Sequence, residues 1–319
     1  MPSPRFTGSF WPSPTQERLL RTALAGPPAG PRAWHELSPG FELQTLEPGT
    51  VSVLALVYCA VSAGSPEDPL LPRLKGIYRN AWVKNNLLAE RLAEVVEAFD
   101  AEGIEHLMIA GLAAAVRYYP ELGLRPTPTL DLLIEGVALI PASRALGRLG
   151  WSAPAPVTVD AQQLVTFGNA HGQTCLLRTA PAVDLRLPAG ELRAGSTPVQ
   201  IGRATVNALA PDHELLVACV AGQRRKPVRS VQWLVDVAQI LMTAGAEMDW
   251  QGLGALAGAH GQALRLRQAL AYVAGVLEVP VPAAGAQMLD SLVVPGRERL
   301  AYARSGLSLP GFLRRRWGV

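Results

Sequence analysis

Apolar positions in the first hundred residues recur at helical spacing. Residues 15–25 (TQERLLRTALA) place Leu19, Leu20, Ala23 and Leu24 on one stripe, and Gly26-Pro27-Pro28 stops that helix. A second helix is predicted over 50–63 and a longer one over 77–99, with Ala81, Trp82, Leu88, Leu92, Val95, Val96 and Phe99 on one face. At Gly103 the pattern changes. Residues 104–110 (IEHLMIA) form a short apolar run of the kind a buried strand needs, and Gly111 and a helix over 112–119 follow. A turn-rich connection, 121–128 (ELGLRPTP), leads to a second strand, 129–135 (TLDLLIE), and a helix near 143–149 closes at Gly150. Strands at 164–167 and 174–178 flank a hairpin loop, and a last strand at 182–187 (AVDLRL) gives a sheet of about five strands. From Pro211 the helical period returns, over 212–220, 230–244, 250–257, 262–277 and 285–294. The expected class is therefore α+β, with a helical region over 1–100, an α+β core over 101–208 and a second helical region over 209–319.

Composition narrows the function classes. The chain has 319 residues, 49% of them hydrophobic and only 17% charged, which excludes a mainly disordered chain and a coiled coil. Its three cysteines, Cys59, Cys175 and Cys219, are too scattered for a disulfide framework or a paired-cysteine zinc site. The longest apolar run, 51–63, is shorter than the roughly 20 residues of a membrane span. The first residues, MPSPR, lack the plan of a signal peptide, so a soluble cytoplasmic protein is expected. The net charge of +3 comes entirely from the last third, where 224–229 (RRKPVR) and 314–316 (RRR) are basic. No aromatic residues interleave with either cluster, so a dedicated nucleic-acid binder is not expected.

Strand periodicity singles out two carboxylates. In 129–135, Thr129, Asp131 and Leu133 share one face, and Leu130, Leu132 and Ile134 share the other. Asp184 sits likewise, opposite Val183, Leu185 and Leu187. Two strand-borne carboxylates can hold a hard cation such as Mg²⁺, although pairing with an arginine or capping a loop is the commoner use of each. Gly111, between a strand and a helix, stands where free N–H groups favour phosphate, although close packing also calls for glycine there. Asp236 lies with Gln232, Gln239 and Thr243 on the polar face of its helix, where exposure is expected. His106, His171, His213 and His260 show no metal-ligand spacing, and no Gly-x-Ser-x-Gly, P-loop or Gly-x-Gly-x-x-Gly pattern occurs.

The order of the central pieces carries further information. Ile109-Ala110-Gly111, a helix, Tyr119-Pro120, Gly123-Leu124-Arg125-Pro126 and Leu130-Asp131-Leu132-Leu133-Ile134 follow one another. This order resembles the uncharacterised nucleotidyltransferase family with the DNA polymerase β-type fold. That family's pattern is Lys-Gly, a helix, Tyr-Pro, Gly-x-Arg-Pro and a strand bearing Asp-x-Asp, with a later strand bearing Asp-Leu-His. The helices around Thr15–Leu20, Ala33-Trp34, Leu209–Leu216, Trp233–Asp236 and Asp249-Trp250 are similar to the family's flanking ones. The resemblance implies Asp131 and Asp184 as catalytic, Mg²⁺-binding carboxylates. It also implies Gly111, with Arg117 and Arg125, at the nucleotide phosphates, and Thr129 and Asp236 lining the site. It implies transfer of a nucleoside monophosphate from an NTP to a small-molecule, peptide or protein acceptor. Three positions depart from the pattern: Thr129 replaces the first aspartate, Ala110 the lysine, and Arg186 the histidine. Three readings follow: an impaired nucleotidyltransferase, an inactive scaffold that binds a ligand or protein partner in the same cleft, and a scaffold that transfers a different phosphate-linked group.

Overall fold

The computed structural model describes residues 10–157, 164–181, 185, 187, 192–193, 195–224 and 230–305. Asp184, most of the strand expected at 182–187, and the basic residues 225–229 and 314–316 lie outside the described residues. Twelve helices are described: α1 Pro14–Leu24, α2 Gly26–Leu37, α3 Leu54–Ser62, α4 Leu71–Ala101, α5 Gly111–Tyr118, α6 Leu139–Arg148, α7 Pro211–Gly222, α8 Gln232–Ala244, α9 Trp250–Ala259, α10 Ala263–Gly275, α11 Ala283–Ser291 and α12 Gly296–Ser305. Six strands are described: β1 His106–Met108, β2 Thr129–Ile134, β3 Leu164–Gly168, β4 Thr174–Arg178, β5 Thr197–Ile201 and β6 Ala204–Ala208. The fold is α+β, with a mixed six-stranded sheet. Among the described residues no helix is long and apolar enough to cross a membrane.

The chain forms two compact units, 1–77 with 215–319, and 78–214. The first is helical. Its α1 opens on a capping box, in which the Gln16 N–H donates to Ser13 Oγ at 3.4 Å and the Ser13 N–H donates to Gln16 Oε1 at 3.0 Å. Gly26-Pro27-Pro28 ends α1 as expected but also starts α2, because proline in a first turn gives up only N–H groups that have no intrahelical acceptor. Helices α1, α2 and α3 pack on one another, and Leu19, Leu20, Trp34, Leu54 and Val57 are buried. The expected helix over 50–63 begins as a 3₁₀ segment, Pro48–Val53, and becomes α-helical only at Leu54.

The second unit is built on the sheet, in the order β3-β4-β2-β1-β6-β5. β2 pairs antiparallel with β1 and parallel with β4, with Asp131 opposite Leu176 and Leu133 opposite Arg178. One face of the sheet is largely apolar. Leu130, Leu132, Ile134, Val165, Phe167, Cys175 and Leu177 pack there with Leu92, Val96 and Phe99 of α4 and Leu146 of α6. Burial of those side chains is the main stabilising term for the unit, at roughly 1.5–3 kcal/mol for each large one. Trp82, expected on the buried face of α4, is 48% exposed. Ala81 and Leu88 are buried as expected, and Asn85 joins their stripe at helical spacing in place of Trp82. Among the described residues the sheet has two strands that were not expected, since 197–208 forms the antiparallel hairpin β5–β6 around Gly202 at φ 57°, while most of the strand expected at 182–187 lies outside the described residues.

Candidate functional site

The open face of the sheet in the second unit carries two of the expected residues, Thr129 and Asp131, and the adjoining turn holds Gly111 and Arg125. Because side chains alternate, Thr129 and Asp131 of β2 share that face with Thr174, Leu176 and Arg178 of β4, all of them partly exposed. The end of β1 is tied to it, since the Ile109 N–H donates to the Asp131 carbonyl at 3.0 Å. The chain then turns sharply into α5. Ala110 takes φ 48°, ψ −136°, and Gly111 takes φ 58°. A Cβ on Gly111 would meet Thr127 Cγ2 at 3.5 Å and the Thr129 carbonyl oxygen at 3.7 Å, ordinary contacts, so the backbone angle, not crowding, calls for glycine there.

Arg125 braces this turn. It is buried, and its Nη1 donates to the Gly111 carbonyl at 3.1 Å and to Thr127 Oγ1 at 3.2 Å. Asn85, fully buried on α4, holds the segment that carries Arg125. Its Nδ2 donates to the Leu122 and Arg125 carbonyls at 2.7 and 2.8 Å, and its Oδ1 accepts from the Thr127 N–H at 3.0 Å. Nothing in the sequence marks Asn85, because its partners are backbone groups some 40 residues away.

Asp131 forms an ion pair with Arg178, whose Nε donates to its Oδ1. The two side chains are 18% and 20% exposed. Burial pushes the Asp131 carboxyl above its ordinary range, and Arg178 pulls it back only in part. The nearby Cys175 thiol is also pushed up, by burial first and by the Asp131 charge second. Arg178 was not singled out by sequence, though its position at the end of an alternating strand was visible. What was missing is the parallel register of β2 and β4, which sets it diagonally beside Asp131 on one face. Among the described residues no group of three or more His, Cys, Asp or Glu side chains can hold a metal. The described donors around Asp131 do not fit a pair of divalent ions, for they amount to one carboxylate already paired with a guanidinium and two neutral hydroxyls, Thr129 and Thr174.

The model of an uncharacterised nucleotidyltransferase family matches residues 50–278. The chain belongs to this family. Nucleotidyltransferases bind an NTP and an acceptor and usually work with a divalent metal. No curated protein matches the chain in sequence. Among solved structures, the antibiotic-resistance factor ANT(2'')-Ia in solution is 14% identical, with 58% of this chain and 95% of that one covered at a TM-score of 0.43. Lincosamide antibiotic adenylyltransferase LnuA, lincomycin-bound, is 7% identical, with 47% and 94% covered at 0.36. An antigenic nucleotidyltransferase-like protein from Paracoccidioides brasiliensis is 14% identical, with 64% and 94% covered at 0.35.

The other expected site residues fall as follows. Arg117, in the last turn of α5, donates from Nη1 to the Leu209 carbonyl at 2.5 Å and lies 3.5 Å from the buried Glu214, so its charge is engaged at the far end of the helix from Gly111. Glu214 also accepts from the Tyr118 hydroxyl at 3.1 Å. Asp236 belongs to the first unit and is 8% exposed, not on an open polar face as expected. Most of α8 is buried around it, and the Gln232 amide donates to its Oδ1 at 3.2 Å. His213, in the first turn of α7, holds Asp212, which accepts from its backbone N–H at 2.8 Å.

Proposed function

We propose that this nucleotidyltransferase-family protein binds a ligand or partner on the open face of its sheet and does not catalyse metal-dependent transfer of a nucleoside monophosphate. The pairing of Asp131 with Arg178 carries this reading, because it spends the one described carboxylate of that face on a side chain. Thr129 and Ala110 reinforce it, standing where the family pattern has a carboxylate and a lysine. Loss of one charge-stabilising group costs roughly 10²–10³ in rate, so two independent losses would cost roughly 10⁴–10⁶. The second reading, impaired transfer from an NTP to a small-molecule, peptide or protein acceptor, is favoured by one observation: Asp131 keeps its place on the open face, beside the Gly111 turn.

Pyrophosphate release from each of the four NTPs, with Mg²⁺ or Mn²⁺ and a panel of amine and hydroxyl acceptors, separates the two. The expected result is release no faster from the wild type than from Asp131→Ala. Release that Asp131→Ala abolishes would establish the transferase reading in its place.

A further inference from the structure

The donors around Asp131 disagree with the metal chemistry usual in the family, and the disagreement has a specific form. Asp131 is not left without a counter-charge. It is enclosed on the sheet, and the guanidinium of Arg178 lies on its Oδ1. The pairing follows from the scaffold. Parallel β2 and β4 set Arg178 opposite Leu133, one diagonal step from Asp131 on the same face, while Thr129 lies opposite Thr174 and adds no charge. An arginine is charged at every pH a protein meets, so protonation changes cannot withdraw this cation. Its Nε–H also gives the bond a direction that a loosely held lysine would not.

We propose that Arg178 is the resident cation of this site, taking on Asp131 the place a divalent metal would need. Among the described residues the carboxylate of the open face is thereby charge-compensated, and a metal approaching Asp131 meets both a spent carboxylate and a positive charge. This rests on the reading of the protein as a binding scaffold, and it adds the residue that replaces the metal.

Mn²⁺ titrations of the full chain, read by electron paramagnetic resonance of the free ion, test the inference. Four proteins are compared: wild type, Thr129→Asp, Arg178→Gln and the double variant. Thr129→Asp adds a carboxylate beside Asp131 on the same face, yet with Arg178 in place it is expected to bind Mn²⁺ no better than wild type. The double variant is expected to bind at least about tenfold more tightly than either single one, a coupling that only neighbouring groups produce. Thr129→Asp binding as tightly as the double variant would overturn the proposal, as would a folded double variant that gains nothing.

A measurement on the wild type covers the case in which the variants do not fold. The Arg178 Nε–H resonance is expected to exchange slowly and to survive millimolar Mn²⁺. Its loss to paramagnetic broadening would place the metal on Asp131 and overturn the assignment. The pyrophosphate assay reports separately. Transfer by the wild type would defeat the scaffold reading whatever the titrations show, and a failed titration with no transfer would defeat the role of Arg178 alone.

Discussion

Ala110 has φ 48° and ψ −136°, backbone that an L-residue with a Cβ rarely adopts. Such a conformation costs on the order of 1–3 kcal/mol and persists only where the surroundings hold it, here through Arg125 on the Gly111 carbonyl. Glycine at 110 would release that strain and lose roughly 0.4–1 kcal/mol to the freer unfolded chain. Ala110→Gly is therefore expected to raise stability by about 1 kcal/mol, seen as a higher urea midpoint with an unchanged slope. Ala110→Lys keeps the Cβ and should show no gain. At this scale the sequence reveals identity better than environment. The face of Asp131 and the substitutions at 110 and 129 are readable from alternation and motif order. The partner of Asp131 is not, because it depends on which strand lies alongside and in what register. The exposure expected for Asp236 fails for a related reason: a polar stripe marks a surface only when nothing packs on it, and α8 is covered nearly all round.

Elements with one dominant period are legible. The strand expected at 129–135 is Thr129–Ile134, and the strand expected at 174–178 is Thr174–Arg178. Elements containing proline are less so. The hairpin β5–β6 alternates correctly around Gly202-Arg203, but Pro198 argues against a strand unless the strand is known to be an edge, as β5 is. Helix α2 hides behind Pro27, Pro28 and Pro31 in the same way. Connections between elements are the hardest to read, and Asn85 shows why. It fastens the 122–127 segment to α4 with three hydrogen bonds to backbone groups, and it is itself fully buried. Removing it strands those groups, each at roughly 1–3 kcal/mol before relaxation. Asn85→Ala is expected to cost about 2–4 kcal/mol in urea denaturation. Its neighbour Asn86 bonds only the Trp82 carbonyl one turn back, on the exposed side, so Asn86→Ala should change stability by less than about 0.5 kcal/mol.

For the whole molecule, the family match over residues 50–278 takes in the complete second unit and parts of the first, whereas the departures from the family pattern noted above are three single positions, 110, 129 and 186. Scaffold and chemistry fall on opposite faces among the described residues: one face of the sheet packs the core, and the other carries the hydroxyls of Thr129 and Thr174 and the Asp131–Arg178 ion pair. Ligand binding to the native chain makes the difference measurable, since a ligand at a hundred times its dissociation constant stabilises by about 2.7 kcal/mol. At roughly 2–4 °C per kcal/mol, that would raise the melting temperature by about 5–10 °C. A protein that has replaced its metal with Arg178 should show neither half of this response. Melting of the full chain is expected to move by less than about 1 °C with 5 mM Mg²⁺ and any NTP, or with excess chelator, at near-physiological salt. A rise of 5 °C or more that requires both metal and nucleotide, and that Asp131→Ala removes, would show that Arg178 gives way and that the open face still takes the ligands of a nucleotidyltransferase.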